Sequence, residues 1–340
     1  MRWCQLCLTL LCLAPDLTIS AQARSARCQL DIPVNVITLN GSLTQGLQQS
    51  SFVLAKAKDI SLGEVAYDTT PRRVVFILDR ESEMPKLAQD VAYAVMERIL
   101  RGSRSGDSFS FISAEKDPVR VPFDRPSEVM ARIQAVQSGP PPKSRTWALL
   151  DAIAEAADSF KAPQLGDSVV IFGIDALDDA HTDFGRLYAS LMQRRIRVFG
   201  MSFGSHTRPK TNQDGSGLDG VLPYDTPGIL LLRRQTIDPQ GRDIPTLSLG
   251  TGGYAVADRM DPQWITYRAD PVKTKGFVDR GWQMYGAITQ LYRVRVDANS
   301  SSPKSWELRL SNEEPYDNYE RPPKRVVLYP TKLPGCGTQP

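Results

Sequence analysis

Asp79, Glu81 and Glu83 follow directly on the apolar run 74–78, and a helical pattern starts immediately behind them. Acidic residues at the C-terminal end of a buried strand sit where open α/β sheets hold their ligands. Carboxylate and hydroxyl oxygens are donors for hard cations such as Mg2+ and Ca2+, provided several loops bring them together. Two later residues have matching chemistry: Thr146, where a loop opens a helix, and Asp175, which ends the apolar run 168–174. With no cation between them, Asp79, Glu81, Glu83 and Asp175 would repel one another, and at least one pKa would rise.

Other chemistry finds little support. The chain has two histidines, His181 and His206, and neither falls in a Ser/His/Asp, zinc or Cys/His arrangement. No glycine-rich phosphate loop follows a strand. The segment 212–217 has the look of an EF-hand start, but position twelve is Pro223 in place of glutamate, which removes the bidentate ligand that calcium needs there. Paired carboxylates suggest a glycosidase only when they face each other across a cleft; here they share one loop. The expectation is a protein without catalytic activity.

The elements that must position these residues are read from periodicity. Residues 74–78, 108–112, 168–174 and 196–203 are strand-length apolar runs. Between them, Leu87, Val91, Val95, Ile99 and Leu100 recur at helical spacing, as do Leu149, Leu150, Ile153 and Ala157. Helices are also expected over 126–136, 184–192 and 278–291, and a short antiparallel edge strand over 119–123. Strands alternating with helices predict a doubly wound, mainly parallel α/β sheet covered on both faces. Residues 205–244 interrupt this rhythm with a Gly-, Pro- and Asp-rich stretch, expected to be a surface insertion. Before the sheet, 34–39, 52–55 and 62–67 read as strands too few to bury a core. After it, 292–296, 306–310 and 325–329 read as strands again, and the two end segments are expected to pair into a small β appendage.

Several of these segments together resemble the von Willebrand factor type A family. Asp79-Arg80-Glu81-Ser82-Glu83 stands where that family has D-x-S-x-S. Residues 106–112 resemble its "GD-x-apolar" strand, Arg145-Thr146-Trp147-Ala148-Leu149-Leu150-Asp151-Ala152 its "T-x-L-x-D-A" helix start, 169–175 its "apolar strand then TDG" element, and 195–204 its "V-x-V-apolar-G" strand. The match covers about residues 72–260, and the flanks are similar to those of exported bacterial VWFA-related proteins. The resemblance implies a Rossmann-like fold and a metal-ion-dependent adhesion site, whose metal ligands here would be Asp79, Glu81, Glu83, Thr146 and Asp175. The site is degenerate. Glutamates replace both serines, Ala176 follows Asp175 in place of glycine, and a gap-free alignment on Asp151-Ala152 puts Trp147 at the threonine position. Two readings stay open: an altered site for Mg2+ or Ca2+, or an edge that has lost its metal. Either implies binding of a protein or cell-surface ligand; the alternative is a metal-independent structural or assembly role in the cell envelope.

The whole chain sets the outer bounds. Of its 340 residues 41% are apolar and 23% charged, and 41 basic against 38 acidic residues leave a net charge of +3. No dense basic cluster with interleaved aromatics points to nucleic acid. Arg2, the short apolar core 4–13 and Ala21-Gln22-Ala23 have the order of an export signal cleaved after Ala23. No segment is long enough to span a bilayer as an apolar helix. A secreted or periplasmic location follows, with residues 1–23 as signal, 28–70 as N-terminal β segment, 72–290 as the type A-like domain and 291–330 as C-terminal β segment. Cys4, Cys7 and Cys12 would leave with the signal. Cys28 and Cys336 remain, as a disulfide or as two free thiols.

Overall fold

The computed structural model describes residues 28–38, 40–56, 59–80, 84, 86–140, 149–173, 182–203, 228–230, 243–257, 271–298, 303–312 and 325–336. In chain order the elements are β1 (Cys28–Thr38), β2 (Phe52–Lys56), β3 (Ile60–Asp68), β4 (Arg73–Asp79), α1 (Lys86–Gly102), β5 (Ser108–Ala114), β6 (Arg120–Asp124), α2 (Pro126–Ser138), α3 (Leu149–Ser159), β7 (Ser168–Gly173), α4 (Phe184–Arg194), β8 (Arg197–Ser202), β9 (Gly228–Leu230), α5 (Ile244–Gly250), β10 (Ala255–Ala257), α6 (Pro271–Thr289), β11 (Leu291–Ala298), β12 (Lys304–Ser305), β13 (Glu307–Leu310), β14 (Arg325–Leu328) and β15 (Lys332–Leu333).

The central sheet has the order β6-β5-β4-β7-β8-β10-β9. Neighbours from β5 through β10 pair in parallel, while β6 and β9 close the two edges antiparallel. Chain order reverses between β4 and β7: from β4 the chain first builds outward through β5 and β6, then returns to β7, β8 and β10. That reversal makes the sheet doubly wound, and open α/β sheets bind their ligands beyond the C-terminal strand ends at such a point, here those of β4 and β7. Alternate side chains of each strand feed opposite layers. Phe76, Phe109, Phe172 and Phe199 pack with Met96, Ile99, Met284 and Ile288 on one face. Val75, Ile77, Ile171 and Val198 pack with Ile153, Leu191 and Leu247 on the other. Burial on both faces is why these strands read as unbroken apolar runs, and each such side chain contributes about 1.5–3 kcal/mol.

The chain ends form the expected appendage. Its main sheet has the order β14-β1-β11-β3, and β13 pairs with β2. Ile32, Val34, Val36, Val294, Val296, Trp306 and Leu308 fill its core, so neither end segment buries its apolar face without the other. Cys28 and Cys336 form a disulfide, with Cα atoms 5.6 Å apart.

Four expectations are corrected. Strand β1 starts at Cys28, because 28–34 pair with β11 despite Pro33. The interrupting stretch contributes β9, an edge strand of the central sheet, while 204–227 and 231–242 lie outside the described residues. Helix α5 escaped detection because all seven of its residues are buried, which leaves no polar face to create a period; Asp243 caps it by accepting from Thr246 N at 2.6 Å. Helix α6 starts at Pro271, a residue suited to a helix's first turn.

Arginines fasten the appendage to the N-terminal edge of the sheet. Arg197, which opens β8, is 0% exposed. It donates to Asn35 Oδ1 in β1 at 2.5 Å and to the carbonyls of Ala287 and Ile288 at 3.3 and 2.9 Å. Those carbonyls belong to the last turn of α6, the negative end of its dipole. Burial, with the Arg72 charge nearby, pushes the Arg197 pKa down to about 9, so the guanidinium remains charged at neutral pH. Arg104 bridges Asp107 Oδ1 at 3.0 Å and Thr289 O at 3.0 Å, and Tyr285 donates its hydroxyl to Asp107.

Replacing Cys28 and Cys336 together by Ser lowers stability by about 2–5 kcal/mol in urea unfolding, and amide exchange rises first in β1 and β14. A pair of glycine substitutions tests the packing. A Cβ at Gly253 would lie 1.9 Å from Val198 O, so Gly253→Ala costs about 3 kcal/mol or more. A Cβ at Gly286 would lie 3.6 Å from Leu43 Cδ1, an ordinary contact, so Gly286→Ala stabilises α6 by about 0.5–1 kcal/mol.

Candidate functional site at the strand-order reversal

Asp79 is the last residue of β4, the strand at the reversal point, and is 6% exposed. Its neighbours across the sheet are Ala114 at the end of β5 and, one residue earlier in register, Phe172 of β7 against Leu78. The Asp79 side chain lies against Gly173. A Cβ placed at Gly173 would stand 3.1 Å from Asp79 Cβ, 3.4 Å from Asp79 Oδ2 and 3.5 Å from Leu149 Cδ2. The ends of β4 and β7 and the first residue of α3 therefore meet at one point, and a residue without a side chain at 173 leaves room for the carboxylate. A further tie lies close by: Thr182 Oγ1 donates to Asp151 Oδ1 in the first turn of α3.

Of the predicted metal ligands, Asp79 is described. Glu81, Glu83, Thr146 and Asp175 lie outside the described residues, as do Ala176, His181 and His206. The segments that carry them depart from the converging points: Glu81 and Glu83 beyond Arg80, Thr146 just ahead of Leu149, and Asp175 just beyond Gly173. Among the described residues no cluster of three or more His, Cys, Asp or Glu is gathered as for a metal. The one donor on view, a buried carboxylate at the point of convergence, suits a hard cation.

The sequence reading missed Arg80. Successive strand residues face opposite ways, so as Asp79 turns toward Gly173 and α3, Arg80 turns toward β5 and α2. Arg80 is 9% exposed. Its backbone N–H bonds Ala114 O at 3.2 Å, Nη1 meets Glu115 Oε1 at 3.1 Å, and Nη2 donates to Pro140 O at 3.1 Å. Nearby in α1, Tyr93 is also buried. Burial raises its pKa, partly opposed by the Arg80 charge and reinforced by Glu115 and Asp90. Arg80 Nε and Tyr93 Oη are buried with no hydrogen-bond partner among the described residues. The signal available in the sequence was a lone arginine between Asp79 and Glu81.

No family model matches this sequence, and neither does any curated protein. Among solved structures, similarity is found to a von Willebrand factor type A protein from Catenulispora acidiphila, at 10% identity over 89% of this chain and 73% of that one, with a TM-score of 0.43. An aerotolerance-related membrane protein from Bacteroides fragilis is similar at 17% identity over 64% of this chain and 98% of that one, with a TM-score of 0.38. Proximal thread matrix protein 1 from the mussel byssus, described with a zinc-occupied MIDAS motif, is similar at 8% identity and a TM-score of 0.40; the alignment takes in 68% of this chain and 50% of that protein. The strand order, more than these alignments, defines the fold: a doubly wound, Rossmann-like sheet.

Gly173→Ala tests the contact with Asp79. The added methyl displaces the carboxylate by a few tenths of an ångström and costs about 1 kcal/mol, so unfolding shifts modestly while any ligand held by Asp79 binds measurably more weakly.

Proposed function

We propose that this chain, with its type A fold, is an exported, non-catalytic binding module that takes a protein or cell-surface ligand at the C-terminal edge of its central sheet. The observation that carries the reading is the placement of Asp79. A buried carboxylate closes the strand at the reversal point, against Gly173 and beside the start of α3, where sheets of this order bind ligands. At the opposite edge, Arg197 and Arg195 tie the sheet to β1 of the appendage. No helix among the described residues is long and apolar enough to cross a membrane.

The donors fit a metal-assisted version. Asp79, with Glu81, Glu83, Thr146 and Asp175, would hold Mg2+ or Ca2+, and the bound cation would accept a ligand carboxylate. Glutamates at 81 and 83 bring more negative charge than hydroxyls would, which favours Ca2+, with its larger and more flexible shell. In the metal-free version the same edge binds its partner directly.

Immobilised full-length protein is expected to retain a partner from the envelope fraction of its own cells, with chemical cross-links mapping to the ends of β4 and β7. Asp79→Ala is expected to weaken that retention at least about tenfold, or 1.4 kcal/mol, with unfolding little changed. Retention that ignores Asp79→Ala, or cross-links confined to the appendage, would overturn the reading. Titration calorimetry with Mg2+, Ca2+ and Mn2+ separates its versions: heat that disappears in Asp79→Ala supports the metal, and no heat or thermal shift with any of the three removes it.

A further inference from the structure

We infer that Arg80 is the positioning residue of this edge, a three-point clamp that sets the spacing between the chain leaving β4 and the chain leaving α2. Its contacts reach the ends of separate elements. The backbone N–H holds Ala114 O at the end of β5, Nη1 holds Glu115 one residue further on, and Nη2 holds the carbonyl of Pro140, just past α2. Pro140 begins the connection to α3, and Leu149 at the start of α3 meets Asp79 around Gly173, where a Cβ would lie 3.5 Å from Leu149 Cδ2 and 3.1 Å from Asp79 Cβ. One residue of β4 thus faces the α3 layer, and the next governs where the chain sets out toward α3.

The chemistry suits a clamp. A guanidinium is planar and offers donors in a fixed fork, so it can serve two acceptors at set angles; a lysine ammonium is a point charge. With Arg80 and Glu115 side chains only 8% and 10% exposed, the pair is screened little by solvent, and its geometry is held by burial. A surface ion pair would not fix a spacing in this way. Pro140 contributes through its carbonyl, and having no N–H it cannot compete for the Ala114 or Glu115 acceptors. The inference rests on the C-terminal edge being the ligand face, but its first test needs no ligand.

The test uses Arg80→Met and Arg80→Lys in the full chain, with hydrogen exchange followed by mass spectrometry. Arg80→Met is expected to raise exchange about tenfold or more at the C-terminal end of β5 and the last turn of α2, with β7 and β8 unchanged. Arg80→Lys is expected to keep the contact with Glu115 and most of the stability, yet still to loosen the last turn of α2, because one ammonium cannot hold both acceptors in the fork geometry. Uniform loosening of the sheet in either variant would make Arg80 a structural residue only and overturn the inference. So would wild-type exchange at α2 in Arg80→Lys. Partner retention is measured on the same Arg80→Lys protein. A loosened α2 end with retention unaffected overturns the link to ligand binding while leaving the edge itself in place. Absence of any partner for the wild type counts against the functional reading alone.

Discussion

The buried guanidinium of Arg197 is the contact on which the arrangement of the two sheets depends. Removing a cation from water costs several kcal/mol unless acceptors replace the hydration. Here the acceptors come from Asn35 in the appendage and from two carbonyls in the last turn of α6, while the residue itself opens a strand of the central sheet. Asn35 also donates to Gln290 O at 2.7 Å. Three parts of the molecule are therefore bound to the same charge, and none can shift without breaking one of these bonds. The Arg104–Asp107–Tyr285 group repeats the device between β5 and α6.

These contacts give the sheet two unlike ends. At the N-terminal edge, arginines, the helix terminus and the appendage leave little freedom. At the C-terminal edge, Asp79 and Arg80 point to opposite layers from adjacent positions, one toward Gly173 and one toward Glu115 and Pro140. A rigid scaffold carrying loops at one end is how α/β proteins hold a binding site whose loops can vary while the core does not.

Periodicity made most of the fold legible. Strands β4, β5, β7 and β8 are buried on both faces and appear as apolar runs; helices α1 and α3 carry one apolar stripe and appear at helical spacing. Where an element was buried on every side or only two residues long, the signal vanished. Helix α5 has no exposed face and so no period, and β12 and β15 are too short for one. Strand β1 was read late because Pro33 and the charged Asp31 mask its first half. At the site, Asp79 was visible as an acid ending an apolar run. Arg80 was not, because its acceptors lie at Glu115 and Pro140, tens of residues away in the chain, and an arginine among acids reads locally as a solvated side chain.

The sequence by itself determined the class of the fold and the address of its candidate carboxylate, because hydrophobic periodicity is a local record of which face each residue buries. It could offer Cys28 and Cys336 only as a pair or as two thiols, and the site only as residues with suitable chemistry. Tertiary structure decided that β7 lies beside β4, that Gly173 and the start of α3 close on Asp79, that Arg80 reaches β5 and the end of α2, and that the two cysteines meet. Each of these is a contact between residues far apart in the chain, and such contacts are set by how whole layers stack, which no local pattern encodes.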